Sequence, residues 1–526
     1  MSAKLGQPST KTYNVLSWVL AETDFDGIVT ARVYDRAGRT VSESVGGRTT
    51  TTSYDGLGRT VRATDPASRT VHYAYDGFGR IVTEAHFAAG GAELKRTTTS
   101  YDTLSRPKEV TQSPAGVTTI YDYATPASKV SSATITHTGI TTRINYDEHG
   151  REETRSVNGA SVNLTSPVST RDAEGRRTAW TVGSRSASAT YDAAGKLKTQ
   201  SAPGISATYT YDVNTGRKTG DTVTAAGVLS ASTYTYTGAG RLSGALTGTT
   251  QRTYAFDARG NLKTATTAGA TATFTVDAND RLTTSVAAGV TTTYTHDSLG
   301  RRTSQTLSGV TASYTYDNAS RLTGWQRGAD RATYTYDGAG QRTRAVVTQA
   351  SLTTTTTYNY DGITLLSLVA QQGTATWTVT YLYDEDARPY AGVYTAGTAS
   401  PVTFLVSTND RGDVVALTTM AGTWFARYAY DPYGRVLSQA TQAASSSVTS
   451  MVAAQIATRQ PLRYAGYTYD AHSATYYLSQ RHYDPATMRF RASSMTRRAI
   501  ASRRSARWRA GPPRSPTSLS TTSRAG

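Results

Sequence analysis

The sequence predicts an all-β fold, a long array of antiparallel β-hairpins, and three observations carry that prediction. The first is a phrase that returns six times in step: Tyr236-Thr-Gly-Ala-Gly-Arg241, Phe256-Asp-Ala-Arg-Gly-Asn261, Val276-Asp-Ala-Asn-Asp-Arg281, His296-Asp-Ser-Leu-Gly-Arg301, Tyr316-Asp-Asn-Ala-Ser-Arg321 and Tyr336-Asp-Gly-Ala-Gly-Gln341 start 20 residues apart. A fixed period of this size marks a repeat architecture. The second is strict alternation upstream of the phrase, as in Thr333-Tyr-Thr-Tyr336, which puts tyrosines on one face of a strand and threonines on the other. The third is composition: Thr, Ser, Tyr and Gly dominate, with 35 Tyr against 8 Phe and 37% hydrophobic residues. That mixture favours strands and turns. It holds too little Leu and Ile for a thick double-layered core and predicts a curved single sheet, wet or partly wet on both faces.

The phrase reads as a hairpin turn. Between Asp and Arg lie three residues whose last, usually Gly, can take the left-handed conformation that closes a three-residue loop through a bulge. The Asp carboxylate can cap the turn. Asp and Arg then face each other across two strands as an ion pair of about 0.2–1 kcal/mol, enough to fix register. Downstream, Arg281-Leu-Thr-Thr-Ser-Val286 is a second extended run and residues 287 to 289, Ala-Ala-Gly, a second turn. Each 20-residue unit therefore spells strand, turn, strand, turn.

Along the chain, an apparent degenerate unit surrounds Tyr13, and the first full phrase is Tyr34-Asp-Arg-Ala-Gly-Arg39. No capping element precedes it, which suggests a piece of a longer polypeptide. The phrase recurs at Tyr54, Tyr75, Tyr101, Tyr146, Arg171, Tyr191 and Tyr211, with a degenerate copy at Tyr121-Asp-Tyr123. After Gln341 the period loosens: Tyr360-Asp-Gly362 and Tyr383-Asp-Glu385 keep only the opening. Residues 441 to 460, rich in Ser, Ala and Thr, read as a flexible loop between Phe425-Ala-Arg-Tyr-Ala-Tyr-Asp-Pro-Tyr-Gly-Arg-Val436 and Pro461-Leu-Arg-Tyr-Ala-Gly-Tyr-Thr-Tyr-Asp470. Tyr476-Tyr-Leu-Ser-Gln-Arg-His-Tyr-Asp-Pro-Ala-Thr-Met-Arg-Phe490 follows.

These phrases and that ending resemble the Rhs/YD-repeat family, which includes bacterial polymorphic toxins, the shell subunit of insecticidal toxin complexes and the YD shell of teneurins. The resemblance implies three parts: a YD-repeat hairpin array over 1–385, an Rhs-repeat-associated core-like segment over 386–490, and a disordered Arg/Ser-rich tail over 491–526. It implies a spiral of hairpins forming a hollow, cocoon-like shell, complete or not, with the core plugging one end. It also implies an enclosed C-terminal toxin as cargo, and a secreted or surface location. The tail lacks the family's processing segment and reads like translation in a wrong frame, or like a degraded tail. His472, His482 and Met488 stand where the family more often has an acidic residue, a tyrosine and a glycine, so no protease residue is carried over.

The remaining chemistry is sparse. Net charge is +17, but residues 491 to 526 hold nine Arg and no acid, leaving 46 basic and 38 acidic residues in a mildly basic body. No cysteine occurs, so disulfides and thiolate metal sites are excluded. Neither a secretory signal nor an apolar run long enough for a membrane-spanning helix is seen. The seven histidines (72, 86, 137, 149, 296, 472 and 482) are scattered. His472 and His482 with Asp470 and Asp484 form the one imaginable metal or acid/base cluster, and each fits a hairpin slot better. Asp384-Glu-Asp386 lacks the glycine and closing glutamate of a calcium loop and reads as turn capping. No phosphate loop or nucleophile elbow is present. The expectation is a non-enzymatic shell with no catalytic, cofactor-binding or metal residue and no cofactor. A cell-surface adhesin reading carbohydrate with its tyrosines is the alternative, and nucleic acid is not an expected partner.

Overall fold

A computed structural model describes residues 10–23, 27–123, 129–159, 162–166, 169–182, 184–478 and 481–491. The expected disorder of the tail falls on residues outside these, apart from Arg491. The described chain is built of antiparallel strands taken in sequence order. A 15-stranded sheet runs from Thr10 to Ser166, a 26-stranded sheet from Thr170 to Thr441, and a four-stranded sheet from Thr468 to Phe490. In each sheet consecutive strands are neighbours, and none closes into a barrel.

Among the described residues each full phrase forms the turn its residues dictate. In Tyr54-Asp-Gly-Leu-Gly-Arg59 the Asp55 N–H donates to the Arg59 carbonyl and the Gly58 N–H to the Asp55 carbonyl. Gly58 has φ 83°, the left-handed conformation. One oxygen of Asp55 accepts the backbone N–H groups of Leu57 and Arg59, while the other accepts Arg59 Nε at 2.7 Å. A single carboxylate thus caps the turn and pairs with the arginine. The ladder slips by one residue between Ser53 and Tyr54, the expected bulge. At Asp76 the Arg80 side chain and backbone N–H groups hold the carboxyl below its usual pKa.

Neighbouring units are joined by a relay. The arginine of one phrase lies over the aromatic ring of the next: Arg59 is 4.5 Å from the Tyr75 ring centre and Arg106 is 4.0 Å from that of Tyr123. The hydroxyl of that tyrosine donates to the carbonyl just after the earlier arginine, as Tyr75 to Thr60 at 2.7 Å and Tyr336 to Leu322 at 2.6 Å. Where the tyrosine slot holds Arg171, its guanidinium makes the same bond to the Glu152 carbonyl. The tyrosine face points inward and the threonine face outward, so Val310–Tyr316 alternates between exposed threonines and buried Ala312 and Tyr314.

The ribbon coils. Turns opposite the phrase in the first lap abut phrase turns of the second: Arg69 pairs with Asp317 at 2.8 Å, Arg321 reaches back to Asp65, and Gln112 donates to Asp361 at 2.9 Å. Between the turns at 65–69 and 317–321 lie 24 strands; at about 4.8 Å per strand that lap measures about 115 Å around and about 37 Å across between backbones. Between the turns at 212–217 and 409–413, bridged by Lys218 and Asp410, lie 18 strands, a lap about 27 Å across. The coil narrows toward its C-terminal end.

At the narrow end the single wet sheet expected from composition gives way to layers. Leu382, Ala391, Val393 and Leu405 pack on Ile140, Val157 and Leu164 of the earlier lap. All six residues of the strand Val414–Thr419 are buried, so both its faces are covered. The flexible loop expected over 441–460 is also corrected. Ser450–Arg459 is an α-helix capped by Thr449, whose side chain accepts the Val452 N–H, and it buries Ala453, Ile456 and Ala457. The alanines that suggested a loop are the small face of a helix packed into the main core.

Candidate functional site

The inner layer is fastened to the wall at one repeated position, the sixth residue after the start of each phrase. In the regular array that inward position reads Leu242, Leu262, Leu282, Arg302, Leu322 and Arg342. The leucines pack as core, and Leu282 and Leu322 are buried. The arginines are buried as well, with Arg342 0% and Arg302 2% exposed. Each meets an aspartate of the small C-terminal sheet: Arg342 Nη1 lies 2.7 Å from Asp470, and Arg302 Nη1 2.7 Å from Asp484. The corresponding position in irregular units is Arg177, 2.8 Å from Asp384, and, after a one-residue insertion, Lys218, 3.0 Å from Asp410. Four basic residues of the wall thus hold four aspartates of the inner layer.

The two aspartates of the small sheet, Asp470 and Asp484, sit in turns that differ from those of the wall. In the wall the left-handed residue is third after Asp and the arginine fourth. At Asp470 and Asp484 the left-handed residue is fourth, Ala474 at φ 50° and Met488 at φ 56°, so no basic side chain stands where the wall's arginine would. Arg489, one place further on, donates to the Asp280 carbonyl instead. Burial alone would raise both carboxyls, but Arg342 beside Asp470 and Arg302 beside Asp484 bring each below the usual carboxylate range. Arg342 is enclosed by the rings of Tyr334, Tyr358 and Tyr477, the last with its centre 4.4 Å away. Arg302 lies over Tyr294 and Arg491 over Tyr314.

The histidine pair His472 and His482, with Asp470 and Asp484, sits in this seam. His472 Nε2 is 2.5 Å from the Tyr334 hydroxyl. His482 Nδ1 lies 3.7 Å from Asp470, and neither of its ring nitrogens has a hydrogen-bond partner among the described residues. Burial, with Arg342 and Arg491 nearby, drives His472 down to about 4 and His482 to about 3 against the opposing pull of Asp470. Both are neutral at pH 7. Among the described residues no group of three His, Asp or Glu side chains could hold a metal ion, and no helix is long and apolar enough to cross a membrane. Asp384 caps its turn through the Asp386 and Arg388 N–H groups while bridging to Arg177, and Glu385 pairs with Arg171 at 2.6 Å. The sequence reading missed the buried arginines. The signal was a charge at a leucine position of a strict 20-residue register.

A coiled hairpin ribbon with an inner layer buttoned to its wall defines a repeat-shell protein. The chain matches the family model for the teneurin YD-shell over residues 221–499, more than half its length, and the RHS repeat over 34–70 and 54–92. It belongs to the YD-shell family of RHS-repeat proteins. A 130-residue stretch, 25% of the chain, is 29% identical to the tRNA3(Ser)-specific nuclease WapA of Bacillus spizizenii, covering 5% of that protein. Among solved structures the chain is similar to TcdB2-TccC3-Cdc42, at 16% identity, TM-score 0.44, over 92% of this chain and 34% of that one. It is also similar to a Photorhabdus luminescens Tc holotoxin pore, at 15% identity, TM-score 0.44, over 93% and 32%. The chain spans about a third of the length of these structures.

Proposed function

We propose that this chain is the wall and plug of an encapsulating shell of the Rhs type, separating a C-terminal cargo from its surroundings without a chemical step of its own. The observation that carries the reading is the narrowing coil whose inner layer is tied to the wall by four ion pairs, three of them reaching the plugging segment and two of those fully buried. In this reading residues 1–385 are the hairpin array and 386–490 the plugging core. The last described residue, Arg491, is enclosed against Tyr314 and Asp484, so a cargo joined beyond it starts inside the wall. The carbohydrate-reading alternative draws no support from the phrase tyrosines. Their hydroxyls are bound to backbone carbonyls and their faces to arginines, so a sugar would have to displace both.

The test is protease challenge of the full chain carrying an unstructured reporter peptide at its C-terminus. The reporter survives in the parent chain and is digested in the Arg302→Ala/Arg342→Ala variant. Digestion in both, alongside glycan binding by the parent, would replace the shell with the adhesin.

A further inference from the structure

The seam between the small C-terminal sheet and the wall is rich in donors and poor in acceptors. The register of the sheet puts the side chains concerned on one face. Tyr477 pairs with His482 and Asp484 with Arg489, and the Arg491 N–H donates to the His482 carbonyl at 2.9 Å, carrying the ladder one residue further. His482, Asp484, Arg489 and Arg491 therefore project together toward the wall, with His482 and Arg491 as cross-strand neighbours. Tyr476, Tyr483 and Phe490 take the other face, successive ring centres lying 6.5 and 5.4 Å apart.

On the wall-facing side the donors outnumber their partners. Arg491 is 5% exposed; its Nη2 donates to the Ser473 carbonyl at 3.3 Å, and its Nε and Nη1 have no hydrogen-bond partner among the described residues. Both ring nitrogens of the neighbouring His482 are unpartnered in the same sense, as are the Nε atoms of Arg302, Arg342 and Arg489. Buried polar groups in folded proteins are nearly always satisfied, so a cluster of orphans calls for a partner. Water could accept from one N–H, but it brings no charge, and charge is what the seam lacks. The buried charged side chains here are Arg302, Arg342 and Arg491 against Asp470 and Asp484, with His472 and His482 neutral. Arg342 holds Asp470 and Arg302 holds Asp484, each at 2.7 Å. Arg491 Nε is left 3.9 Å from the same Asp484 oxygen that Arg302 holds, beyond hydrogen-bond reach. Burial and the nearby Arg302 push the Arg489 guanidinium below its usual value, so a fourth cation crowds the same face. A buried cation without a counter-charge is strongly destabilising.

We propose that this seam binds one small monovalent anion of the halide kind, seated between Arg491 and His482, as a structural ion that fastens the small sheet to the wall. One negative charge balances three buried arginines against two aspartates, whereas a doubly charged ion would reverse the imbalance. A spherical ion also accepts from several donors at once without demanding a fixed direction from each. Its role is separate from encapsulation: a chain that ignores chloride can still protect a reporter from protease, and a chain that needs chloride can fail to.

Thermal melts of the full chain in sodium chloride and in sodium gluconate, at one ionic strength, test this, because gluconate is too large for a packed seam. The parent melts higher in chloride, its midpoint rising by about 2 °C for each tenfold increase in chloride. Arg491→Met removes the surplus charge, so its midpoint is the same in both salts and, in gluconate, no lower than the parent's. An arginine that served packing alone would give a variant weakened equally in both. Crystals grown in bromide give a second reading that does not depend on the variant: an anomalous peak beside Arg491 and His482. A parent indifferent to chloride, a variant that keeps the parent's response, or a seam without bromide overturns the proposal. An indifferent parent that Arg491→Met destabilises would place the counter-charge on a carboxylate of the protein itself.

Discussion

The same two residues, Tyr-Asp, do different work in the outer wall and in the inner plug. In the wall, Asp55 pairs with Arg59 four residues away, the pair is partly exposed, and the arginine couples to the next unit's tyrosine. In the plug, Asp470 and Asp484 sit in longer turns, where Arg489 turns away to the Asp280 carbonyl, and pair with Arg342 and Arg302 from strands 128 and 182 residues earlier. The wall pair is local and repeated, so losing one costs little and changes one turn. The plug pair is buried and singular, and losing one member strands a charge away from water. A single motif therefore serves as register marker at Asp55 and as lock at Asp470 and Asp484, where the longer turn leaves the carboxylate to a distant arginine.

The sharpest way to break that contrast is to remove one lock. Arg342→Met leaves Asp470 buried and unpaired and is expected to lower plug stability by about 3–5 kcal/mol, whereas Arg342→Met with Asp470→Leu recovers most of it. Thermal melts and limited proteolysis of the 468–490 segment would read both. Next, Ile456→Ala removes a fully buried side chain from the helix of the plugging segment, at about 2–4 kcal/mol. It should loosen the inner layer while leaving hydrogen exchange in the first lap unchanged.

Acid separates the two regions further. His472 and His482 have folded pKa values near 4 and 3, depressed below the ordinary 6.5. The unfolded state therefore binds more protons as pH falls below about 6.5, and plug stability declines progressively down to those folded values. The wall aspartates, held by arginine below their ordinary 3.8, contribute stability above that value, which is lost only as pH falls through their lower folded pKa. On a titration from pH 7 to 4 the plug should become protease-sensitive before the first lap does, and His482→Phe should shift that onset to lower pH. The smallest effect belongs to the relay: Tyr75→Phe removes one hydroxyl bond to Thr60 and should cost about 0.5–1.5 kcal/mol, seen as faster amide exchange confined to the strands on either side.

The repeat units were legible down to single hydrogen bonds. Glycine at the third loop place, the capping aspartate and the alternation of Tyr with Thr each act within a few residues. Reading them requires no knowledge of what lies across the coil. The cation over the next ring is not legible from one unit alone, because the ring it covers belongs to the neighbouring unit. The helix at Ser450–Arg459 was missed for a tertiary reason: Ala453, Ile456 and Ala457 are helical because they face a packed core, and their Ser/Ala-rich flanks carry no strong periodicity of their own.

By itself the sequence determined the hairpin, its 20-residue step, its turns and which face each side chain takes, because these are settled by contacts between residues close in the chain. Only the tertiary structure decided that Asp65 lies against Arg321, that the lap tightens from 24 strands to 18, and that Arg342 closes on Asp470. Those outcomes come from small twists and bends added over dozens of strands. No single unit encodes their sum, so the partners of the buried charges become known only where the coil brings distant laps together.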